Sequence, residues 1–76
     1  MNNKKVPIFS IVIPTYNHAT YLERALKSII YQSFENWEVI VIDNYSTDNT
    51  QEIVTDFNDP RIKYIKIHYI INRTNI

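Results

Sequence analysis

The sequence of 76 residues contains no cysteine and no glycine, and its formal net charge is zero. Without cysteine the chain can form neither a disulfide framework nor a thiolate metal site, which fits a reducing compartment. Average composition would place roughly five glycines in this length, and their absence excludes the glycine-rich phosphate loops of the dinucleotide fingerprint and the P-loop. The balanced charge argues against a nucleic acid or an anionic membrane as partner, because proteins that bind these carry a basic surplus.

Long apolar runs are missing as well. No run approaches the ~20 residues that a membrane-spanning helix needs, so we expect no membrane segment. The N-terminal stretch MNNKKVPIFSIVIPTYN has two lysines before apolar residues, but Pro7 and Pro14 bound those residues and no small-residue cleavage site follows. This pattern argues against a signal peptide. We therefore expect a cytoplasmic protein.

Three apolar segments predict β-strands. Residues 8–13 (IFSIVI) are nearly all apolar and rich in β-branched types, which is typical of a strand buried on both faces in a parallel sheet. Residues 37–42 (WEVIVI) form a second such segment and end at Asp43. Residues 62–67 (IKYIKI) contain two lysines, which indicates a half-exposed or edge strand.

Two helices are predicted between these strands. The first begins at Thr20, has Glu23 at the capping-box spacing, and continues in an apolar stripe with helical periodicity to Ile30. The second runs from about Asp48 to Phe57, where Asp59-Pro60 follows as a breaker. The order β-α-β-α-β predicts an α/β fold, a parallel sheet with flanking helices. A chain of this length forms one domain at most, over residues 1–76, and its tail, 68–76, is poorly specified.

Two loops follow the carboxyl ends of the first two strands, where open parallel sheets bind their ligands. The first loop contains Thr15, Tyr16, Asn17 and His18, and the second contains Asp43, Asn44 and Ser46. The ring of Tyr16 suits stacking against a base, and the carboxylate of Asp43 can accept a hydrogen bond from a ring N–H or a ribose hydroxyl. Two alternatives remain open: Tyr16 covers the start of the helix, or Asp43 caps its own turn.

Three motifs closely resemble the start of the family-2 glycosyltransferases, which use nucleotide-sugar donors on a GT-A type fold: IVIPTYN before a helix, QSFENWEVIVIDNYSTDNT, and DPRIKYI. The resemblance covers about residues 9–67 and implies the N-terminal, nucleotide-binding portion of this Rossmann-like fold. It also implies that Pro14 and Thr15 contact the nucleotide and that Tyr16 lies against the base. Asp43 would bind the uracil or its ribose. A later arginine of the family often approaches the base or phosphates, and Arg73 is the candidate for that position here.

The sequence departs from the family pattern at two kinds of position. Where the family commonly has a second acid and then a glycine, this chain has Asn44 and Tyr45, which is tolerable if the backbone keeps a negative φ. The family also holds a divalent metal through an Asp-x-Asp motif and places a catalytic base further along. This sequence contains no Asp-x-Asp. We therefore predict no catalytic and no metal-binding residue here, and expect Mg²⁺ or Mn²⁺ for the complete family domain.

These observations predict a truncated glycosyltransferase. The family activity would transfer a sugar from a nucleotide-sugar, expected to be a UDP-sugar, to a glycan or lipid-linked acceptor, and a full-length relative could work at the cytoplasmic face of the membrane. The chain alone is expected to be inactive. One alternative is a non-catalytic nucleotide-binding module that a partner chain completes at the exposed edge of the first strand. Another is a small α/β interaction domain without a nucleotide role.

Overall fold

The computed structural model describes residues 9–33 and 35–68. Their elements are β1 (Phe9–Thr15), α1 (Ala19–Ile30), β2 (Trp37–Asp43), α2 (Thr50–Phe57) and β3 (Ile62–Lys66). The three strands are parallel and lie in the order β1-β2-β3. The predicted fold class, an α/β arrangement of three parallel strands and two helices, is confirmed.

Both helices pack on one face of the sheet. Along β2 every second side chain is buried, from Trp37 to Asp43, while the intervening ones are partly exposed. Right-handed crossovers between strands that follow one another in the same direction place their helices on the same face. The buried core therefore lies between that face and the helices. Its residues are Leu22, Leu26, Trp37, Val39, Val41 and Val54.

The other face of the sheet is open in the described part of the chain. Val12 in β1 is 54% exposed and Ile65 in β3 is 47% exposed. The prediction that β1 is buried on both faces was therefore wrong, since neither helix covers this face. Among the described residues β1 pairs with β2 alone. In β3 the lysines Lys63 and Lys66 are exposed, as its composition indicated.

The start of α1 differs from its prediction. The helix begins at Ala19 rather than Thr20, and His18 at the N-cap makes no side-chain capping hydrogen bond. The backbone N–H of Ala19 instead donates to Oδ2 of Asp48, at 3.2 Å, in the loop after β2. The local capping box was a wrong prediction because a carboxylate 29 residues away takes its place.

Asp48 also precedes α2, which begins at Thr50 rather than at Asp48. Oδ1 of Asp48 accepts hydrogen bonds from the backbone N–H and the hydroxyl of Thr50. One carboxylate thus binds the first residue of both helices, where the helix dipoles favour a negative charge. In the described part of the chain, neither helix is long and apolar enough to cross a membrane.

Candidate functional site

A hollow of about 370 Å³ lies at the carboxyl ends of β1 and β2. Its lining residues are Pro14, Thr15, Tyr16, His18, Ile42, Asn44 and Ile67. The sheet register pairs Thr15 with Asp43, and the N–H of Asn44 donates to the carbonyl oxygen of Thr15 at 3.0 Å. The two loops therefore meet here. Three residues predicted for the site, Pro14, Thr15 and Tyr16, come together in this hollow.

A larger hollow, of about 620 Å³, lies at the opposite end of the sheet, with Glu35 and Lys63 in its lining. Arg61 in this hollow is already engaged, since its guanidinium binds Asp59 at 2.8 Å and lies 3.8 Å from the ring centroid of Trp37. The hydrogen bond from Arg61 is the main cause that lowers the pKa of Asp59. Parallel sheets bind ligands at the carboxyl ends of their strands, so position favours the smaller hollow.

Asp43 is 1% exposed and lies beneath the loops rather than in the hollow. Its Oδ1 accepts hydrogen bonds from the backbone N–H of Ser46, at 3.0 Å, and from the Ser46 hydroxyl. Its Oδ2 accepts one from the hydroxyl of Tyr64. Asp43 therefore caps its own turn, the alternative that the sequence left open. Its direct contact with a nucleotide stays a prediction.

Tyr64 was missed as a partner of this carboxylate. It lies in β3 opposite Val41, and two residues further along, Lys66 pairs with Asp43. In the sequence, this tyrosine was interpreted only as one of the residues that favour a β-strand over residues 62–67. The signal that could have identified it is the alternation of β3, which puts Tyr64 on the helix-covered face near the buried end of β2.

Asn44 lines the hollow beside Tyr16. Asn44 stands where the resemblance implies a second acid, and the structure places this replacement at the candidate site itself. A side-chain amide offers both hydrogen-bond donors and an acceptor, which suits the edge of a base. Arg73, the remaining predicted contact, lies outside the described residues.

Tyr45 adopts a positive φ of 59°. The expectation of a negative φ at this non-glycine position was wrong, and the left-handed conformation costs of order 1 kcal/mol for such a residue. The ring of Tyr45 stacks on His68, with 4.4 Å between the ring centroids, and Nζ of Lys66 lies 4.9 Å from its centroid. These contacts, which a glycine would lack, offset part of the strain.

Four residues join the two loops, and we call them the loop clamp: Asn17, Ser46, Thr47 and Asp48. The backbone N–H of Asn17 donates to Oγ of Ser46 at 2.8 Å. Oδ1 of Asn17 accepts from the backbone N–H groups of Thr47, at 2.7 Å, and Asp48, at 3.3 Å. The contacts between the two loops were not predicted, because their residues lie about thirty positions apart in the sequence.

The pKa of Tyr64 predicts a pH dependence of stability. Burial raises this pKa, and the hydrogen bond to Asp43 raises it further. In the unfolded chain the hydroxyl would ionise near pH 10, the ordinary range for tyrosine. The contribution of Tyr64 is therefore complete below about pH 10 and is lost as pH rises towards the folded-state pKa. We expect the free energy of unfolding to fall more steeply above about pH 10 in wild type than in Tyr64→Phe.

Urea unfolding of the two proteins between neutral pH and about pH 10.5 measures this difference. The sequence has six tyrosines, so the other five contribute to both curves and cancel in the comparison. Parallel pH dependences for wild type and Tyr64→Phe would contradict the assigned cause.

The described residues offer no metal site. Within residues 9–33 and 35–68, no group of three histidine, cysteine, aspartate or glutamate side chains could hold a metal ion. The residues present therefore do not fit the Mg²⁺ or Mn²⁺ expected for a complete family domain, and no step through a metal is derived from them.

Comparison with known proteins identifies relatives of this chain. The sequence profile described as "Glycosyl transferase family 2" matches residues 10–75. The chain is 43% identical over 61 residues to the GalNAc(5)-diNAcBac-PP-undecaprenol beta-1,3-glucosyltransferase of Campylobacter jejuni, a match that covers 78% of this chain and 20% of the relative. It is 37% identical over 62 residues to the Escherichia coli UDP-Glc:alpha-D-GlcNAc-diphosphoundecaprenol beta-1,3-glucosyltransferase WfgD. This match covers 82% of the present chain and 24% of WfgD.

A solved structure shares the fold. The mannosyltransferase PcManGT from Pyrobaculum calidifontis, determined in complex with GDP-Man and Mn²⁺, superposes with a TM-score of 0.64 at 29% identity. This match covers 86% of the present chain and 20% of the mannosyltransferase. The chain therefore spans between a fifth and a quarter of the length of these relatives.

Proposed function

We propose, since the chain belongs to glycosyl transferase family 2, that residues at the carboxyl ends of β1 and β2 bind the nucleotide of a sugar donor. The observation that carries this proposal is the hollow itself. It brings together Pro14 and Thr15 at the end of β1, Tyr16 directly after it, and Asn44 directly after β2. An aromatic ring and a side-chain amide in one hollow can recognise a nucleoside without a glycine-rich loop.

Each residue has a distinct part in this site. The ring of Tyr16, 43% exposed, stacks against the base, and Asn44 offers hydrogen bonds to the base edge. Pro14 and Thr15 form the wall next to them. Asp43 supports the turn that follows Asn44, through its hydrogen bonds to Ser46. For Asp43 to contact the nucleotide directly, a hydrogen-bond donor of the ligand would have to replace Ser46 or Tyr64, which now donate to this carboxylate.

The complete reaction that we propose is the transfer of a sugar from a nucleotide-sugar, expected to be a UDP-sugar, to a glycan or lipid-linked acceptor in the cytoplasm. The names of the two bacterial relatives support a lipid-linked acceptor, and that of WfgD supports UDP-glucose. The reaction also needs neutralisation of the departing diphosphate and deprotonation of the acceptor hydroxyl. We assign neither step to the described residues, so the 76-residue chain is expected to bind donor nucleotide without turning it over.

The open face and the edge of β1 support a second part of the proposal. Val12 and Ile65 are large apolar side chains that are about half exposed. Within residues 9–33 and 35–68, β1 pairs with β2 alone, and a strand edge readily accepts a further strand. We propose that further polypeptide, in a longer chain or a partner, completes the sheet here. In the partner case the described residues would act as a non-catalytic nucleotide-binding module.

Replacing Tyr16 by alanine is expected to weaken UDP binding about tenfold, because stacking of a base on an aromatic ring contributes roughly 1–3 kcal/mol. The measurement is a titration of the ¹⁵N-labelled 76-residue chain with UDP, followed by amide chemical shifts. In wild type the shifts should be confined to residues 14–18 and 42–46. A parallel titration with GDP tests the base preference, since the solved relative binds GDP-Man.

Tyr31→Ala is the matched control, because Tyr31 is 81% exposed and lies at the opposite end of α1. It should bind UDP as wild type does. The proposal is overturned if neither UDP nor GDP shifts any amide at millimolar concentration, or if the shifts fall on the larger hollow around Glu35 and Lys63.

A further inference from the structure

We propose that the loop clamp is a positioning device for the nucleotide site, with Asn17 as its central positioning residue. The inference rests on the proposed function, because it concerns how the hollow keeps its shape. No residue of the clamp needs to touch the ligand. The clamp acts by holding Tyr16, which precedes Asn17, and Asn44, which precedes the Ser46 turn, at a fixed distance across the hollow.

The geometry of Asn17 shows why this residue is central. Its backbone has φ 54°, a conformation that asparagine tolerates better than most residues. The turn that results directs both its N–H and its side-chain oxygen towards the loop after β2. Oδ1 of Asn17 accepts from the hydroxyl of Thr47 as well as from two backbone N–H groups. One side chain thus binds three donors in the opposite loop.

The clamp is continuous with both the buried carboxylate and the helices. The hydroxyl of Ser46 accepts from the N–H of Asn17 and donates to Oδ1 of Asp43. At its other end, Asp48 binds the first residues of α1 and α2. A shift of Asn17 would therefore move a loop that is anchored at each end to the rigid part of the fold. This is the arrangement expected of a support for a preformed site.

The clamp has a consequence for affinity. If the loops hold the binding geometry for only a fraction of the time, the apparent affinity falls by that fraction. Thr15 and Asp43 are fixed by the sheet register, and the backbone of Asn44 is held by its hydrogen bond to Thr15. Tyr16 lies beyond β1 and directly before Asn17, so it is the site residue that the clamp positions most directly. Loss of the three Asn17 acceptor contacts should therefore reduce nucleotide binding more than it reduces the stability of the sheet.

The test uses the 76-residue chain with UDP as probe and compares wild type with four variants. Asn17→Ala and Asn17→Gly remove the acceptor, and the glycine variant also keeps the positive φ without strain. Asn17→Asp retains an oxygen acceptor for the same N–H groups. Asn58→Ala is the matched control, because Asn58 has nearly the same φ, 51°, but caps the C-terminus of α2 at the opposite end of the sheet.

We expect Asn17→Ala and Asn17→Gly to weaken UDP binding about tenfold, the effect of a tenfold drop in the binding-competent fraction. Hydrogen exchange of the Thr47 and Asp48 amides should accelerate in both variants, since each loses its acceptor. Asn17→Asp should restore affinity to within about twofold of wild type. Asn58→Ala should lower the unfolding midpoint while the UDP dissociation constant stays unchanged.

The outcomes separate this inference from the proposed function. Unchanged UDP affinity in Asn17→Gly, despite faster exchange, would overturn the positioning role and leave the nucleotide site standing. An equal loss in Asn58→Ala would overturn it too, because the effect would then reflect general stability. Absence of UDP and GDP binding in wild type would instead overturn the proposed function, and the exchange data would still report whether Asn17 holds the loop.

Discussion

Replacing Asp43 by alanine is expected to lower the free energy of unfolding by about 3 kcal/mol, because removal of a buried, hydrogen-bonded charge leaves its donors unsatisfied. The carboxylate is 1% exposed and binds Ser46 twice and Tyr64 once. A core of this size rarely supplies more than roughly 3–5 kcal/mol, so the variant should lose most of its stability. Circular dichroism and urea unfolding at neutral pH measure the loss.

Asp56→Ala is the control for Asp43→Ala, since Asp56 is exposed on α2. Its free energy of unfolding should stay within about 0.5 kcal/mol of wild type, as for most surface substitutions. A folded Asp43→Ala protein of wild-type stability would contradict the structural role. Tyr64→Phe then tests the direct contact, because it releases Oδ2 of Asp43. Tighter UDP binding in this variant would support that contact, and unchanged binding would assign Asp43 to the turn alone.

Replacing Leu26 by alanine should have an effect of similar size. Leu26 is fully buried, with 0% exposure, in the middle of α1, where it packs within the core shared with the sheet and α2. Truncation of a buried leucine costs about 2–5 kcal/mol, from lost burial and from the cavity that remains. That range overlaps the roughly 3–5 kcal/mol that a core of this size rarely exceeds, so we expect the dispersed amide spectrum to weaken or disappear at 25 °C.

Two variants bracket this result. Leu26→Met conserves volume and should cost less than about 1.5 kcal/mol. Lys27→Ala removes a surface ion pair with Glu23, 3.6 Å long and about half exposed, and such pairs contribute about 0–1 kcal/mol. If Leu26→Ala kept a dispersed spectrum and a wild-type midpoint, the core would not depend on α1 as the burial pattern indicates.

The residues that were predicted well are those whose role is visible in local periodicity. The stripe from Leu22 to Ile30 predicted α1, and the apolar run of residues 37–42 predicted β2 within one residue. Both patterns repeat over a few positions, so they are properties of the chain before it folds. Pro14, Thr15 and Tyr16, the predicted nucleotide contacts, lie together in one hollow at the end of β1, and their contact with a nucleotide stays a prediction.

The failures concern contacts between distant residues. The capping box at Thr20 and Glu23 was a reasonable local pattern, yet the cap of α1 is Asp48. The burial of β1 on both faces followed from its composition, but the crossovers place both helices on one face. The negative φ assumed for Tyr45 was also wrong, and its ring contacts Lys66 and His68, about twenty residues further along the chain.

The sequence by itself determined the order of the elements, the apolar stripe of α1 and the family of the chain, because apolar periodicity and short motifs are local. Only the tertiary structure decided which polar groups meet. The register that pairs Thr15 with Asp43 brings Asn17 to Ser46 and Asp48, and it turns Asp43 inward to Tyr64 while Asn44 lines the hollow. These contacts span about twenty to thirty residues, and no local pattern specifies them.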